Sequence, residues 1–238
     1  MISIIIPAFN EEKRLPITLH EIFDFLKSEK MTAEIIVVND GSFDNTSSVV
    51  ENLFKEYSRL KLINLEKNQG KGFAVKTGIL SAEGKFIIFL DSDNSTSLSH
   101  IKDVKNMLEQ GYDIVIGSRE INGAKIIQKQ PYLREKIGKI FNFFTKTIKL
   151  SEYEDTQCGF KGFKEDIAKN IFSKTKINGF AFDIEVLCIA KKSNYKIKEI
   201  PVYWKDNIDS KVSVKNIWNI FWDIWKIKIN LIQGRYGK

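Results

Sequence analysis

Short apolar runs recur along the first half of the chain, each followed by a polar turn and an amphipathic segment. The runs ISIII (2–6), EIIVV (34–38), KLINL (61–65), KFIIFL (85–90) and DIVIG (113–117) are rich in β-branched residues and nearly continuous, as strands buried on both faces are. Between them the spacing predicts helices over 15–28, 45–58, 71–82 and 98–110. Strands alternating with helices imply an α/β fold with a mostly parallel central sheet covered on both sides.

The second half is less regular. Residues 131–149 place Ile137, Ile140, Phe141, Phe144 and Ile148 on one stripe, with Lys136, Lys139, Lys146 and Lys149 outside it. Residues 212–232 place Lys215, Asn219, Asp223, Lys226 and Asn230 on a narrow polar stripe, leaving an apolar arc that includes Trp218, Trp222 and Trp225. That arc is too wide for docking on one side alone. The pattern divides the chain into a domain over 1–213 and an amphipathic helix and tail over 214–238, with no repeat, low-complexity tract or linker.

Ligands of parallel α/β sheets bind beyond the carboxyl ends of the strands. There the chain reads PAFNEE, NDGSFDNT, EKNQGKG, DSDNSTS and GSRE, so acids, a lysine and an arginine converge on one sheet edge. Alternation along the strand puts the Asp91 and Asp93 carboxylates on one face and Ser92 on the other. Side by side they repel, and a shared proton or a divalent cation relieves them. Hard oxygen ligands select Mg2+ or Mn2+, held partly by protein and partly by substrate phosphates. A bare D-x-D is equally compatible with a turn that caps the next helix, but Asp40 at the neighbouring strand end, Lys71 and the surrounding glycines favour the metal site here. Gly70 and Gly72 flank Lys71 before a helix, where a backbone can approach phosphate oxygens. The spacing is not that of a Walker loop. Asp40 suits a base or ribose donor, while Asp44 suits a helix cap.

Charge narrows the partners. Lys and Arg number 37 against 30 Asp and Glu, a net charge of +7, which favours anionic ligands. The excess concentrates between Lys125 and Lys149, where Glu135 is the one acid, and after Lys205. A nucleic-acid binder would explain the charge but not Asp40, Asp91 and Asp93 at one edge, since they repel phosphates. A nucleotidyltransferase normally carries its glycine-rich loop after the first strand, where this chain has PAFNEE. Cys158 and Cys188 lack metal or redox spacing and are expected as free thiols. No apolar run reaches membrane-spanning length and MISIIIPAFN lacks a basic leader, so a cytoplasmic location is expected.

Taken in order, IIIPAFNEE, VVNDGSFDNT, NQGKGFAVKTG, FLDSDNST, GSRE, DTQCGFKGF, FDIEVL and IPVYW…DSKVS resemble the family-2 inverting glycosyltransferases of GT-A fold. The branch they are most similar to contains dolichyl-phosphate β-glucosyltransferase and dolichol-phosphate mannose synthase. The resemblance covers about residues 2–213. It implies that Pro7, Ala8, Phe9 and Glu11 cradle the nucleotide, that Asp40 reads the base, and that Asp91 and Asp93 bridge a divalent metal to the diphosphate of a nucleotide sugar. Ser92, Gly70, Lys71 and Lys211 complete the donor-binding set, Lys211 from a closing loop. Arg119, Arg134 and Lys139 are similar to residues that hold an acceptor phosphate. Asp183 occupies the place of the base in relatives with hydroxyl acceptors; here a supporting role on a sugar hydroxyl or an arginine is expected, with a structural role equally open. Asn39, Phe9 and the IDSK string depart from the family pattern.

The expected activity is metal-dependent transfer of a hexose to a polyprenyl or dolichyl phosphate. UDP-glucose is the favoured donor and GDP-mannose the alternative. A lipid phosphate is already ionised and needs cationic positioning rather than a base. A hydroxyl-acceptor polysaccharide transferase is the competing reading. A bilayer-resident acceptor implies a peripheral position at the cytosolic membrane face, with the two amphipathic stretches either on the membrane surface or against a second subunit.

Overall fold

A computed structural model describes residues 1–128, 152–205 and 214–237, with side chains of the last helix described from Asn219 onward. The amphipathic stretch 131–149, with Arg134 and Lys139, and the loop residue Lys211 lie outside the described residues. The chain runs β1 (Ile2–Ala8), α1 (Leu15–Ser28), β2 (Ala33–Asn39), α2 (Thr46–Asn52), β3 (Leu60–Asn64), α3 (Lys71–Ser81), β4 (Phe86–Leu90), α4 (His100–Glu109), β5 (Ile114–Ser118) and β6 (Lys125–Gln128). It continues with β7 (Phe160–Lys164), α5 (Glu165–Lys174), α6 (Phe182–Lys192), β8 (Ile197–Pro201), β9 (Tyr203–Lys205) and α7 (Val214–Ile232).

Seven strands form one sheet in the order β3-β2-β1-β4-β7-β5-β8. All neighbours are parallel except β7, which runs antiparallel to both β4 and β5. Periodicity did not mark β7 as a strand, because its sequence FKGFK places a lysine and a glycine in a buried position. The helix expected over 45–58 is shorter: α2 stops at Asn52 and a 3-10 turn follows over Leu53–Lys55. Asn is a poor interior helix residue, and the Tyr57 hydroxyl fixes the segment by donating to Ala33 O at 2.9 Å.

Alternation along the central strands feeds two apolar layers. Ile4, Ile6, Ile35, Val37, Ile88 and Leu90 face α1, α2 and α4, and all are buried. Ile5, Ile36, Val38, Ile87 and Phe89 face α3, α5 and α6. Both faces are apolar because both are covered, which is why these runs lack a polar alternation. Pro7 lies past Ile5, the last β1 residue paired with β4, so on that side no ladder remains for its missing amide to interrupt. A smaller sheet pairs β6 with β9.

At the edge away from the strand carboxyl ends, Glu34 is buried within a polar knot. Ser3 Oγ donates to Glu34 Oε1 at 2.5 Å, the Glu83 N–H donates to the same oxygen at 2.7 Å, and Lys61 Nζ lies 2.9 Å from Oε2. Burial alone would raise the Glu34 pKa, but these donors and the Lys61 charge outweigh it and hold the carboxyl below its ordinary value. A depressed folded-state pKa adds stability above the unfolded pKa that is lost as pH falls through the folded one. Glu34→Gln should therefore cost about 1–3 kcal/mol at neutral pH. Urea denaturation should show the deficit shrinking on acidification; a deficit independent of pH would contradict the assignment.

Candidate active site

The carboxyl ends of β1 and β2 are joined by side chains that satisfy loop amides. Asn10 N–H donates to Ser42 Oγ at 2.8 Å and Glu11 N–H to Thr46 Oγ1 at 2.8 Å, while Phe43 N–H returns to Asn10 Oδ1 at 2.8 Å. Glu12 N–H and Thr46 N–H both donate to the Asp44 carboxylate, at 3.1 and 3.0 Å. Asp44 thus caps the start of α2, as its spacing suggests. The polar character of PAFNEE and NDGSFDNT is in large part this lacing, since loop backbone groups need partners as much as ligands do.

Asp40 is buried and its two oxygens accept the N–H groups of Gln69 and Gly70, at 2.8 and 2.9 Å. Burial raises its pKa, opposed by those same two bonds. It holds the turn that starts α3. Gly70 there adopts φ 104°, and a Cβ would lie 2.5 Å from Asn178 O, so both backbone conformation and space require glycine. The next residue, Lys71, opens the helix and sends Nζ to within 2.6 Å of Asp91 Oδ1. Burial disfavours the Lys71 charge, yet Asp91, Asp183 and Asp93 together raise its pKa.

The expected strand-like alternation through Asp91 and Asp93 is corrected here. β4 ends at Leu90, and Asn94, in the left-handed region at φ 49°, donates its N–H back to Asp91 O at 3.3 Å. The D-S-D-N string is therefore a turn, which Asn tolerates where other side chains strain. Ser92 is buried, with its carbonyl accepting the Thr18 hydroxyl at 2.8 Å. Asp93 accepts the Ser95 N–H at 3.0 Å and the Ser95 hydroxyl. Burial pushes the Asp93 carboxyl above its ordinary value and the Asp91 charge adds to this, against the Ser95 bonds and Arg14. Glu11 is buried and holds Arg14 through both carboxylate oxygens, at 2.5 and 2.7 Å. Phe9 meets the exposed Phe43 edge to face, with centroids 5.9 Å apart.

β7 supplies what lies beneath the acids. Leu90 pairs with Phe160, so Gly159 falls opposite Asp91, and a Cβ there would sit 2.0 Å from Asp91 Oδ2. Lys161, fully buried, places Nζ 2.6 Å from Asp183 Oδ1 and 2.7 Å from Cys158 O. Burial raises the Asp183 pKa, opposed by Lys161 and Lys71. Arg119, at the end of β5, is gripped by the fully buried Asp155, with Nε to Oδ2 2.6 Å and Nη2 to Oδ1 2.9 Å. Its guanidinium also lies over the Trp204 ring, 5.3 Å from the centroid. β9 in turn fixes the segment after Asp93: Lys205 N–H donates to Ser95 O at 2.9 Å and Ser97 N–H to Tyr203 O at 3.0 Å. The buried His100 accepts the Tyr203 N–H on Nε2 at 2.9 Å and contacts Asp103 through Nδ1 at 2.8 Å. Cys158, free and buried, has its thiol pKa pushed up to about 11 by burial, so it remains a thiol.

Asp155, Lys161, Gly159 and Trp204 are the site residues that motif reading left without roles. Lys161 had a signal, a charged residue within the otherwise apolar GFKGF (159–163). Asp155 and Trp204 stand in the DTQCGFKGF and IPVYW strings, but nothing local assigns them a role, because their partners are distant in sequence.

A family model for glycosyl transferase family 2 matches residues 3–172. The chain belongs to glycosyl transferase family 2. It is a glycosyltransferase, and among its relatives are dolichyl-phosphate beta-glucosyltransferases from Trichomonas vaginalis, 34% identical over 96% of this chain and 73% of the relative, and from Dictyostelium discoideum, 35% identical over 95% and 77%. The human protein of the same name is 34% identical over 89% and 69%. Its fold is GT-A-like. Mannosyl-3-phosphoglycerate synthase from Rubrobacter xylanophilus superimposes with a TM-score of 0.72 at 14% identity, covering 99% of this chain and 75% of that one. Glucosyl-3-phosphoglycerate synthase from Mycobacterium tuberculosis, solved with Mn2+, UDP-glucose and phosphoglyceric acid, gives 0.70 at 14% identity, covering 100% and 80%.

Removing one partner of a buried ion pair leaves an uncompensated charge. Lys161→Met in this glycosyltransferase should lower stability by about 3–5 kcal/mol, and Lys161→Met with Asp183→Leu should recover part of it. Chemical denaturation of the two variants checks this; equal losses would show that the pair does not act as a unit.

Proposed function

We propose that the chain transfers glucose from UDP-glucose to a dolichyl or polyprenyl phosphate at the cytosolic face of a membrane. The names of its relatives support the sugar and the acceptor. The observation that carries the reading is Asp183: its carboxylate is buried and engaged by the Lys161 ammonium. A hydroxyl acceptor requires a base poised to take its proton, whereas an ionised phosphate requires cations, and Arg119 is already oriented by Asp155.

Asp91 and Asp93 fit a Mg2+ or Mn2+ ion by the chemistry of their donors. They are hard oxygens on one turn, and Asp93 is pushed above its ordinary value by burial and by its neighbour's charge, a repulsion that a shared cation would relieve. Among the described residues no group of three or more His, Cys, Asp or Glu side chains forms a metal cage, so substrate phosphates would complete the coordination. Such an ion, when bound, neutralises the charge of the departing nucleotide diphosphate. Lys71 adds a second cation at the start of α3, where helix amides also favour anions. Asp40 preorganises that start, and Pro7, Ala8, Phe9 and Glu11 form the wall where the nucleotide would lie. Arg119, with Arg134 and Lys139, would hold the acceptor phosphate, and Lys211 would act on the donor.

Incubation with labelled UDP-glucose or GDP-mannose and a short prenyl phosphate, with and without Mn2+, tests the reading. Transfer from UDP-glucose that depends on the ion is expected; no lipid product from either donor would sink it. Asp91→Asn and Asp93→Asn should each lower kcat/KM by about 10²-fold or more. Arg134→Ala should cost about 10²-fold while Asp183→Asn costs less; the opposite order would favour a hydroxyl acceptor.

A further inference from the structure

The short strand β9 lies between the D-x-D turn and Arg119. On one side it joins the segment that follows the turn. The Lys205 N–H donates to Ser95 O at 2.9 Å, the Ser97 N–H donates to Tyr203 O at 3.0 Å, and Thr96 forms an antiparallel bridge with Trp204. On the other side the Val202 N–H, just before β9, donates at 3.0 Å to the carbonyl of Ser118, the residue preceding Arg119. The Trp204 ring completes the crossing: it is buried, and the Arg119 guanidinium lies over it, 5.3 Å from the centroid.

We propose that Trp204 is a positioning residue that aims Arg119 at the acceptor and couples it to the D-x-D turn. The inference rests on the reading in which Arg119 meets the acceptor phosphate. Asp155 engages Nε and Nη2 of that arginine, and two bonds from one carboxylate fix a guanidinium within its own plane. They leave the plane free to tilt. An aromatic face beneath the cation removes the tilt, because the charge is held over the ring. Nη1, the nitrogen that Asp155 does not engage, is thereby given one direction. Since the backbone of the same tryptophan bridges Thr96, the arginine and the segment after Asp93 share one support.

His100 keeps β9 in place. Its Nε2 accepts the Tyr203 N–H at 2.9 Å, which puts the ring proton on Nδ1, 2.8 Å from Asp103 Oδ2. The imidazole also meets the Tyr203 and Phe160 rings edge to face, with centroids 5.1 and 6.4 Å away. Phe160 pairs with Leu90, the last β4 residue before Asp91. Without the imidazole the Tyr203 amide loses its acceptor, and β9 loses its link to α4. His100 is therefore a second positioning residue, acting through Trp204.

Steady-state kinetics of the full chain with UDP-glucose and a short prenyl phosphate test this. Trp204→Leu should raise the KM for the prenyl phosphate about tenfold, while the KM for UDP-glucose stays near wild type because the backbone bridge to Thr96 is kept. Trp204→Phe, which retains an aromatic face, should recover most of the loss. In a double-mutant cycle, Trp204→Leu combined with Arg119→Gln should lose no more than Arg119→Gln alone. His100→Leu should reproduce the acceptor effect, and His100→Gln, whose amide oxygen can accept the Tyr203 N–H, should recover most of it; this arm decides the matter where Trp204→Leu does not fold. Additive losses in the cycle, no recovery by the conservative variants, or a rise shared equally by donor and acceptor KM would overturn the inference. Transfer to a hydroxyl acceptor and not to the phosphate removes the functional reading alone: the cycle is then measured with that acceptor, where unit behaviour supports the positioning of Arg119 and additive losses overturn it. If neither acceptor is glucosylated, the cycle is measured on the dissociation constant of the prenyl phosphate, and absence of binding or additive losses overturn it.

Discussion

The pairing of Lys161 with Asp183 is the constraint from which the rest of the site takes its shape. The acids at this sheet edge, Asp91, Asp93, Asp155 and Asp183, would repel one another without cations, and each buried charge must be compensated where it stands. Lys161 compensates Asp183 from within the sheet, Arg119 compensates Asp155, and Lys71 reaches Asp91 from the helix start. Burial and the Asp91 charge push the Asp93 carboxyl up, against the Ser95 bonds and the Arg14 charge.

That balance depends on β7 running against its neighbours. Only an antiparallel strand in this register brings Gly159 opposite Asp91 and Lys161 opposite Phe89. The missing Cβ makes room for the Asp91 carboxylate, and the lysine stem packs against the Phe89 ring, 5.4 Å from Nζ to centroid. Around it, loop side chains are spent on backbone amides, so the edge is held before any ligand arrives. Preorganisation of this kind is what allows fixed charges to act on a developing one.

The same economy of elements governs the C-terminal helix. One face closes the core over α6 and anchors the tail through Glu185 and Tyr236, with the Glu185 carboxyl raised by burial against its three donors, the Lys176 and Ile177 amides and the Tyr236 hydroxyl. The opposite face has no such partner within the described residues and carries the tryptophans.

Most of the sheet was legible because a buried strand must be apolar and a covering helix must be amphipathic, and both constraints are local. The strand runs at 2–6, 34–38, 61–65, 85–90 and 113–117, and the convergence of polar strand ends, follow from the sequence by itself. So does the presence of Asp91, Asp93 and Lys71 at one edge, since chain order and parallel topology place them there. The insertion of β7, the grip of Asp155 on Arg119 and the burial of Lys161 were decided only by tertiary structure. Each depends on a partner 36, 22 or more residues away, and the energy that selects it is the cost of leaving a charge unpaired in a dry interior, a cost that no local pattern records.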